Sequence, residues 1–244
     1  MKVGVAREIA PGERRVALVP DAAARLEPFG IELVVEADAG KEASFLDAAY
    51  SEVGARVVPD AAALYGEADL IVKVQPPAAD EVALLSSGQS LIAFLQPLVN
   101  TELVRSIADR GATAFSMDAI PRLTRAQSMD ALSSQATVAG YKAVLLAAEQ
   151  ATKFFPMLTT AAGTIPPAKV LVLGAGVAGL QAIATARRLG AVVSAFDTRP
   201  VVKEQVESLG AAFVELELTG GETAGGYATE LSEEQHRLEQ ELIS

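Results

Sequence analysis

Three glycines and one aspartate have the residue types and the spacing of a dinucleotide-binding turn. Gly174, Gly176 and Gly179 form the pattern G-x-G-x-x-G within KVLVLGAGVAGL, and Asp197 ends the next apolar run. An apolar, β-branched run precedes the glycines and a helix-forming run follows them. In this context the first glycine permits a tight turn, the second lets the backbone approach a pyrophosphate, and the third lets helix and strand pack closely.

The helix after these glycines would present its N-terminal N–H groups to the phosphates of a nucleotide. Asp197 would accept hydrogen bonds from the adenosine ribose, which favours NAD(H) over NADP(H). Arg199 opposes that preference, because an arginine near the ribose can accommodate a 2′-phosphate, but the aspartate at the strand end carries more weight. Val177 and Thr198 complete the predicted cofactor-binding residues of this turn. The alternative is a strand-to-helix turn without ligand, which the full context disfavours.

The chain is poor in groups that could transfer a proton, with His236 as its single histidine and no cysteine. A dehydrogenase that oxidises an alcohol or an amine must move a proton as well as a hydride, and needs a side chain of tunable pKa for it. His236 lies among glutamates and an arginine, which is typical of a solvated helix face. Hydride exchange between two nicotinamide rings transfers no proton, and needs only ring contact and exclusion of water.

The elements around these residues follow one repeated phrase, in which a helix-like stretch, a glycine and a β-branched run succeed one another. It occurs as LEPFGIELVVE, YSEVGARVVP, IADRGATAFSM, ARRLGAVVSAF and VESLGAAFVEL. The glycine would end each helix in a left-handed cap, and the apolar run would enter a sheet as a buried strand. The phrase predicts an α/β fold whose mostly parallel sheets are covered on both faces.

We predict two Rossmann-like, doubly wound parallel-sheet domains joined by a long helix. The divisions are an N-terminal domain at 1–132, a connecting helix and loop at 133–168, and an NAD-binding half-domain at 169–244. The predicted strands are Lys2–Ala6, Ile31–Glu36, Arg56–Val58, Asp69–Val74, Ser90–Leu95, Thr113–Met117, Lys169–Leu173, Val192–Phe196 and Ala212–Leu216. The connecting helix is predicted from Ser133 to Phe155, with PMLTTAAGTIPPAK as a loop after it. A complete doubly wound domain has more strands, so the second domain is expected to be incomplete at its C-terminus.

Composition limits the possible partners. A net charge of −11 argues against nucleic acid and against an anionic lipid surface, which both need a basic face. No apolar run approaches the roughly 18 residues of a spanning helix, so direct membrane insertion is not expected. Without cysteine the chain has no disulfide and no thiolate metal site, and we predict no metal centre. These features favour a cytoplasmic protein.

Further stretches resemble one superfamily along nearly the whole chain. They are VAREIAPGERRVALVPD, LIVKVQPP, LIAFLQPL, RLTRAQSMDALSSQA and AGYKAV, followed by the glycine turn. The superfamily contains alanine dehydrogenase and the NAD(H)-binding peripheral component, the N-terminal domain of the alpha subunit, of proton-translocating NAD(P) transhydrogenase. In alanine dehydrogenases a lysine and a histidine carry substrate binding and proton transfer, and Gln75 and Gln96 stand at those places here. Amides cannot act as acid or base, so this pattern resembles transhydrogenase, although Arg15 matches the arginine that holds the substrate carboxylate in alanine dehydrogenases.

The stretch RLTRAQSMDALSS taken alone would be a polar loop that caps the long helix. The resemblance implies that Arg122, Gln127, Asp130 and Ser133 surround the nicotinamide and orient it by hydrogen bonds, as the catalytic residues of a reaction without a covalent step. Further predicted cofactor-binding residues of this stretch are Leu123, Thr124 and Arg125.

The stretch ETAGGYA resembles the family's mobile loop, in which Gly225 and Gly226 would supply flexibility and Tyr227 would cover bound nucleotide. The alternative is a plain linker.

The resemblance implies that NADH held on this chain gives a hydride to NADP+ on a separate NADP(H)-binding component. A transmembrane component would couple the transfer to proton translocation. The chain would be a homodimer, peripheral on the cytoplasmic face of the inner membrane. One alternative is an alanine-type amino-acid dehydrogenase, which Gln75 and Gln96 oppose, and another is a nucleotide-binding module without catalysis. Family members continue past the end of this chain, which makes the non-catalytic alternative less remote.

Overall fold

Short apolar runs form the parallel sheet of the first unit, Met1–Asp130, in the computed structural model, which describes residues 1–215. The sheet has the strand order β3-β2-β1-β4-β5-β6, and every pairing within it is parallel. The strands are β1 Lys2–Val5, β2 Glu32–Glu36, β3 Arg56–Val58, β4 Leu70–Val72, β5 Ser90–Ala93 and β6 Thr113–Ser116. The helices are α1 Pro20–Ala23, α2 Asp47–Glu52, α3 Ala61–Glu67, α4 Ala79–Leu84 and α5 Thr101–Asp109.

The core of this unit lies on both faces of the sheet. Val34, Ile71 and Leu91 are fully buried on one face against helices α3 to α5, and Val5 and Val35 are fully buried on the other. Burial on both faces explains why these strands are near-continuous apolar runs. The strand order reverses its direction of progression between β1 and β4 while all strands stay parallel, and ligands of such sheets bind outside the carboxyl ends of the strands at this point.

The second unit begins at Ala131 with the long helix α6. Its three-stranded parallel sheet has the order β11-β10-β9, and an antiparallel hairpin pairs β7 with β8. The strands are β7 Leu158–Thr160, β8 Gly163–Ile165, β9 Lys169–Leu173, β10 Val192–Phe196 and β11 Ala212–Phe213. The helices are α6 Ala131–Gln150, α7 Val177–Arg188 and α8 Lys203–Ser208. Ile183, Val193, Ala195 and Val206 are buried between sheet and helices.

Helices α6 and α7 touch backbone to backbone. Gly140 of α6 is buried, and a methyl group there would overlap the carbonyl oxygen of Ala178, in the first turn of α7. Only glycine permits this approach, so the position of α6 is fixed against the N-terminal end of α7.

The predicted fold class is confirmed, and each predicted strand forms. The glycines of the repeated phrase all have a positive φ, as the left-handed cap requires: Gly30, Gly54, Gly111, Gly190 and Gly210. Of the last predicted strand the structure describes 212–215, with Ala212–Phe213 as strand.

Two predictions about the connecting segment were wrong. The long helix ends at Gln150, five residues before the predicted Phe155. Phe155 lies beyond the helix and packs in the core, where it is 7% exposed. Pro156 also disfavours a helical conformation for the residue before it. The stretch predicted as a loop contains the hairpin β7–β8, in which Thr159 pairs with Thr164.

The predicted covering loop with Gly226 and Tyr227, and the charged segment with His236, lie outside the described residues. Among residues 1–215, no helix has the length and apolar character needed to cross a membrane.

Candidate functional site

The glycine turn joins β9 to α7 with almost no intervening chain. Gly174 has a φ of +89° and donates its N–H to the carbonyl of Phe196 at 2.8 Å. Gly176 is the extended residue before the helix, and α7 begins at Val177. A methyl group at Gly179 would overlap the carbonyl oxygen of Gly174, so strand end and helix are in contact there. The first and third glycines therefore meet requirements of the turn itself, one of conformation and one of space.

The first turn of α7 offers a set of donors suited to a phosphate. The first N–H groups of a helix have no partner within it and carry the positive end of its dipole. Val177 is 45% exposed at the first helical position, while Ala175 is buried at 1%. The residues present therefore fit a bound dinucleotide, with the pyrophosphate on the first turn of α7.

Asp197 lies at the end of β10, where it closes the turn. Its Oδ2 accepts the N–H of Ala175 at 2.7 Å, and its Oδ1 accepts the N–H of Arg199 at 2.9 Å. The Arg199 side chain adds Nε to Oδ1 and Nη2 to Oδ2, both at 3.0 Å. Burial alone would raise the pKa of Asp197, but the hydrogen bonds from Arg199 and Ala175 outweigh it and hold that pKa below its ordinary value. Thr198, between the paired residues, is half-buried.

The predicted nicotinamide residues lie on two consecutive segments. One is an exposed loop and 3₁₀ turn of the first unit, with its turn at Thr124–Met129, held by Ala126, which is 7% exposed. The structure brings together on this segment the exposed residues Arg122, Leu123, Thr124, Arg125 and Gln127, and the half-buried Asp130 comes next. Ser133 belongs to the second unit, in the first turn of α6, where its carbonyl accepts the Thr137 hydroxyl at 3.2 Å.

Glu13 gathers two of the residues that the resemblance singled out. Arg15 donates Nε to Oε1 at 2.8 Å and Nη2 to Oε2 at 2.6 Å, and Gln75 donates its amide to Oε2 at 2.6 Å. These bonds lower the pKa of Glu13 to about 2, and the side-chain hydrogen bonds from Arg15 make the largest contribution. Sequence reasoning missed this carboxylate, because its contact with Gln75 joins residues far apart in the chain.

Gln96 has a strained backbone, with a φ of +48° at a residue other than glycine. Its N–H donates to Oδ2 of Asp118 at 2.9 Å, and the N–H of Leu95 donates to Oδ1 at 3.0 Å. Burial opposes ionisation of Asp118, but the Ser116 hydroxyl and these N–H groups outweigh it and hold its pKa below the ordinary value. Asp118 was also missed, although an acidic residue just after a predicted strand is a signal that could have identified it.

Further charged residues, buried or half-buried, lie at the carboxyl ends of the strands of the first sheet. Lys73, after β4, pairs with Glu81 of α4, and their side chains are 1% and 6% exposed. Glu81 also accepts the N–H of Ala78 at 2.8 Å. Glu8 accepts N–H groups from the chain after β4, and burial raises its pKa and that of Glu36. These carboxylates are held by the protein's own donors.

Comparison with known proteins gives matches over nearly the whole length of the chain. Residues 4–139 match the N-terminal domain of the alanine dehydrogenase/PNT family, and residues 143–243 match its C-terminal domain. The NAD(P) transhydrogenase subunit alpha of Cereibacter sphaeroides is 52% identical over 237 residues, which cover 96% of this chain and 45% of that protein.

Two solved structures are similar as well. The crystal structure of transhydrogenase from Sinorhizobium meliloti is 51% identical with a TM-score of 0.85, covering 88% of this chain and 64% of that one. An L-alanine dehydrogenase is 30% identical with a TM-score of 0.77, covering 87% of this chain and 60% of that one. The chain spans less than two thirds of the length of each of these three relatives. With both of its units matched, the chain belongs to the alanine dehydrogenase/PNT family.

Proposed function

We propose that the chain is the NAD(H)-binding component of a proton-translocating NAD(P) transhydrogenase. It holds NADH, whose hydride passes to NADP+ on a separate NADP(H)-binding component. A transmembrane component couples that transfer to proton movement, and this chain lies as a homodimer on the cytoplasmic face of the inner membrane. The relatives named as transhydrogenases support this choice within the family, since they are 51–52% identical and the alanine dehydrogenase structure is 30% identical.

The observation that carries the proposal is the contact of Gln75 with Glu13. In the alanine dehydrogenases that the chain resembles, a lysine stands at the place of Gln75 and an arginine at Arg15 holds the substrate carboxylate. Here an amide, which cannot transfer a proton, donates to Glu13, and Arg15 is bidentate on the same carboxylate. A reaction between two nicotinamide rings needs neither proton transfer nor a site for an amino acid.

The division of labour among the residues follows from their chemistry. The first turn of α7 binds the pyrophosphate and Asp197 the adenosine ribose. Gln127 and Ser133, with Arg122 and Asp130, orient the carboxamide of the nicotinamide by hydrogen bonds. Bound NADH supplies the hydride, so these residues only need to position the ring and exclude water.

The test is hydride transfer from C4-deuterated NADH to NADP+. The 244-residue chain is mixed with the NADP(H)-binding component of a related transhydrogenase, and deuterated NADPH is measured by mass spectrometry. We expect label in NADPH only when both proteins are present. Gln127→Ala is expected to lower the transfer rate about ten- to a hundredfold through misplacement of the ring. Gln150→Ala, an exposed glutamine at the end of α6, is the matched control and should transfer normally.

The same preparation discriminates the rival activities. Reduction of NAD+ that depends on L-alanine would instead establish an amino-acid dehydrogenase. NADH binding without any label transfer in the presence of a competent NADP(H)-binding component would favour a nucleotide-binding module.

A further inference from the structure

We propose that Arg199 is a latent acceptor for a 2′-phosphate, and that Asp197 excludes NADP(H) by holding the Arg199 guanidinium. The inference rests on the proposed function and concerns the ribose end of the same nucleotide site. It resolves the conflict between an aspartate that favours NAD(H) and an arginine two residues later that favours NADP(H).

The contacts of the Asp197 carboxylate show how completely the arginine is engaged. Arg199 donates Nε to Oδ1 and Nη2 to Oδ2, each at 3.0 Å, and its N–H adds a bond of 2.9 Å to Oδ1. The N–H of Ala175 adds one of 2.7 Å to Oδ2. Both oxygens of the carboxylate therefore accept a side-chain N–H of Arg199. The two side chains are 12% and 6% exposed, which makes the pair a built part of the site.

The guanidinium lies beside the path of the nucleotide. A Cβ placed on Gly176 would lie 4.0 Å from Nη2 of Arg199. Gly176 is the position at which the backbone approaches the pyrophosphate in turns of this pattern. Arg199 therefore has its charge within the region that the phosphates and the adenosine ribose enter.

The charge balance of the pair decides what Arg199 can do. With Asp197 ionised the pair is neutral, and the planar N–H fork that would bind a phosphate bidentately is directed at the protein's own carboxylate. An asparagine at position 197 would keep an oxygen for the N–H of Ala175 but lose the negative charge. The fork would then be available to a 2′-phosphate, and the site would change its cofactor preference through a group that it already contains.

The experiment titrates the 244-residue chain and its variants with NADPH and with NADH, followed by nicotinamide fluorescence. We expect Asp197→Asn to bind NADPH about tenfold or more tighter than the unaltered chain, the worth of one charge-assisted hydrogen bond. The double variant with Asp197→Asn and Arg199→Ala should lose that gain. Equal NADPH affinity of the single and the double variant would overturn the proposal.

A second comparison does not depend on a change at position 197. Arg199→Ala leaves Asp197 without its counter-ion, so NADPH should bind several-fold more weakly than to the unaltered chain. Unchanged NADPH affinity in this variant would contradict the proposal. Arg188→Ala removes the same charge from an exposed position at the end of α7 and should alter neither titration. NADH binding by the unaltered chain is read separately and tests the proposed function.

Discussion

Both parallel sheets have an acidic side chain at a strand end that accepts a backbone N–H, but the chain around it differs between the two. In the first unit Glu36, at the end of β2, accepts the N–H of Arg7, two residues beyond the end of β1, at 3.0 Å. In the second unit Asp197 comes directly after β10 and accepts the N–H of Ala175, two residues beyond the end of β9, at 2.7 Å. In both, an acidic side chain at the carboxyl end of the second strand accepts a backbone N–H of the chain that leaves the first strand.

The two units differ in the chain that leads on from the fixed residue. After β9 the glycine turn leads into α7 at Val177, so a helix N-terminus faces the strand ends. After β1 the first helix begins only at Pro20, and Glu8, Glu36, Lys73 and Glu81 occupy the strand ends with their own pairings. An acidic residue at a strand end is therefore part of the scaffold, and the glycine turn is the feature that makes the second edge a candidate nucleotide site.

Breaking the buried ion pair at the strand ends of the first unit should have the largest effect. Lys73→Met leaves Glu81 buried without its cation, which we expect to cost about 3–5 kcal/mol in the free energy of unfolding. Urea denaturation measures the change. Arg56→Met disrupts the exposed pair of Arg56 with Glu67 and should shift the midpoint far less. Similar midpoints for the two variants would show that the buried pair does not stabilise this edge.

Adding a methyl group to the glycine turn of the second unit should have an intermediate effect. Gly179→Ala forces a methyl group onto the carbonyl of Gly174, which we expect to cost about 1–3 kcal/mol and to weaken NADH binding. Gly66→Ala is the matched control, because Gly66 lies in α3 with open space around it. That change should leave binding unaltered and stabilise the helix by up to about 1 kcal/mol. NADH titration and urea denaturation of both variants test the pair; tolerance of alanine at 179 would contradict the steric role.

The smallest effect is expected at Glu13. Its pKa is lowered from 4.5 to about 2, so its contribution to stability is fully present above pH 4.5 and is lost as the pH falls toward 2. Glu13→Gln should cost about 1 kcal/mol at pH 7, a value reduced for the exposure of Arg15. The difference between the unaltered chain and the variant should shrink between pH 4.5 and pH 2 in urea denaturation. A difference independent of pH would assign the effect to packing.

Strands of the first sheet were predictable because burial on both faces leaves a local signature, as in ELVVE of β2, where Val34 is buried on one face and Leu33 and Val35 on the other. The hairpin β7–β8 was not, because its strands have three residues each and most of these are exposed. Neither alternation nor an apolar run identifies such strands.

For the candidate site, the sequence contains the geometry of the glycine turn but not the side-chain contacts around it. Gly174 and Gly179 are required by the local geometry of the turn, and their pattern can be recognised in the sequence. The bond from Gln75 to Glu13 depends on the assembled sheet, and the turn of Arg199 toward Asp197 is a choice of rotamer. Pattern and spacing contain neither of these facts, and both bear directly on the proposed chemistry.

The contact of Gly140 with Ala178 sets a fixed distance within the second unit. It fixes the position of α6 against the first turn of α7. Ser133, proposed for the nicotinamide end, stands about two turns or ~10 Å along α6 from that contact, while the phosphates would meet α7 beside it. The two proposed nucleotide contacts are thereby held at a fixed separation. Position 140 consequently accepts no larger residue, since even one added carbon would push α6 away from α7 and change this separation.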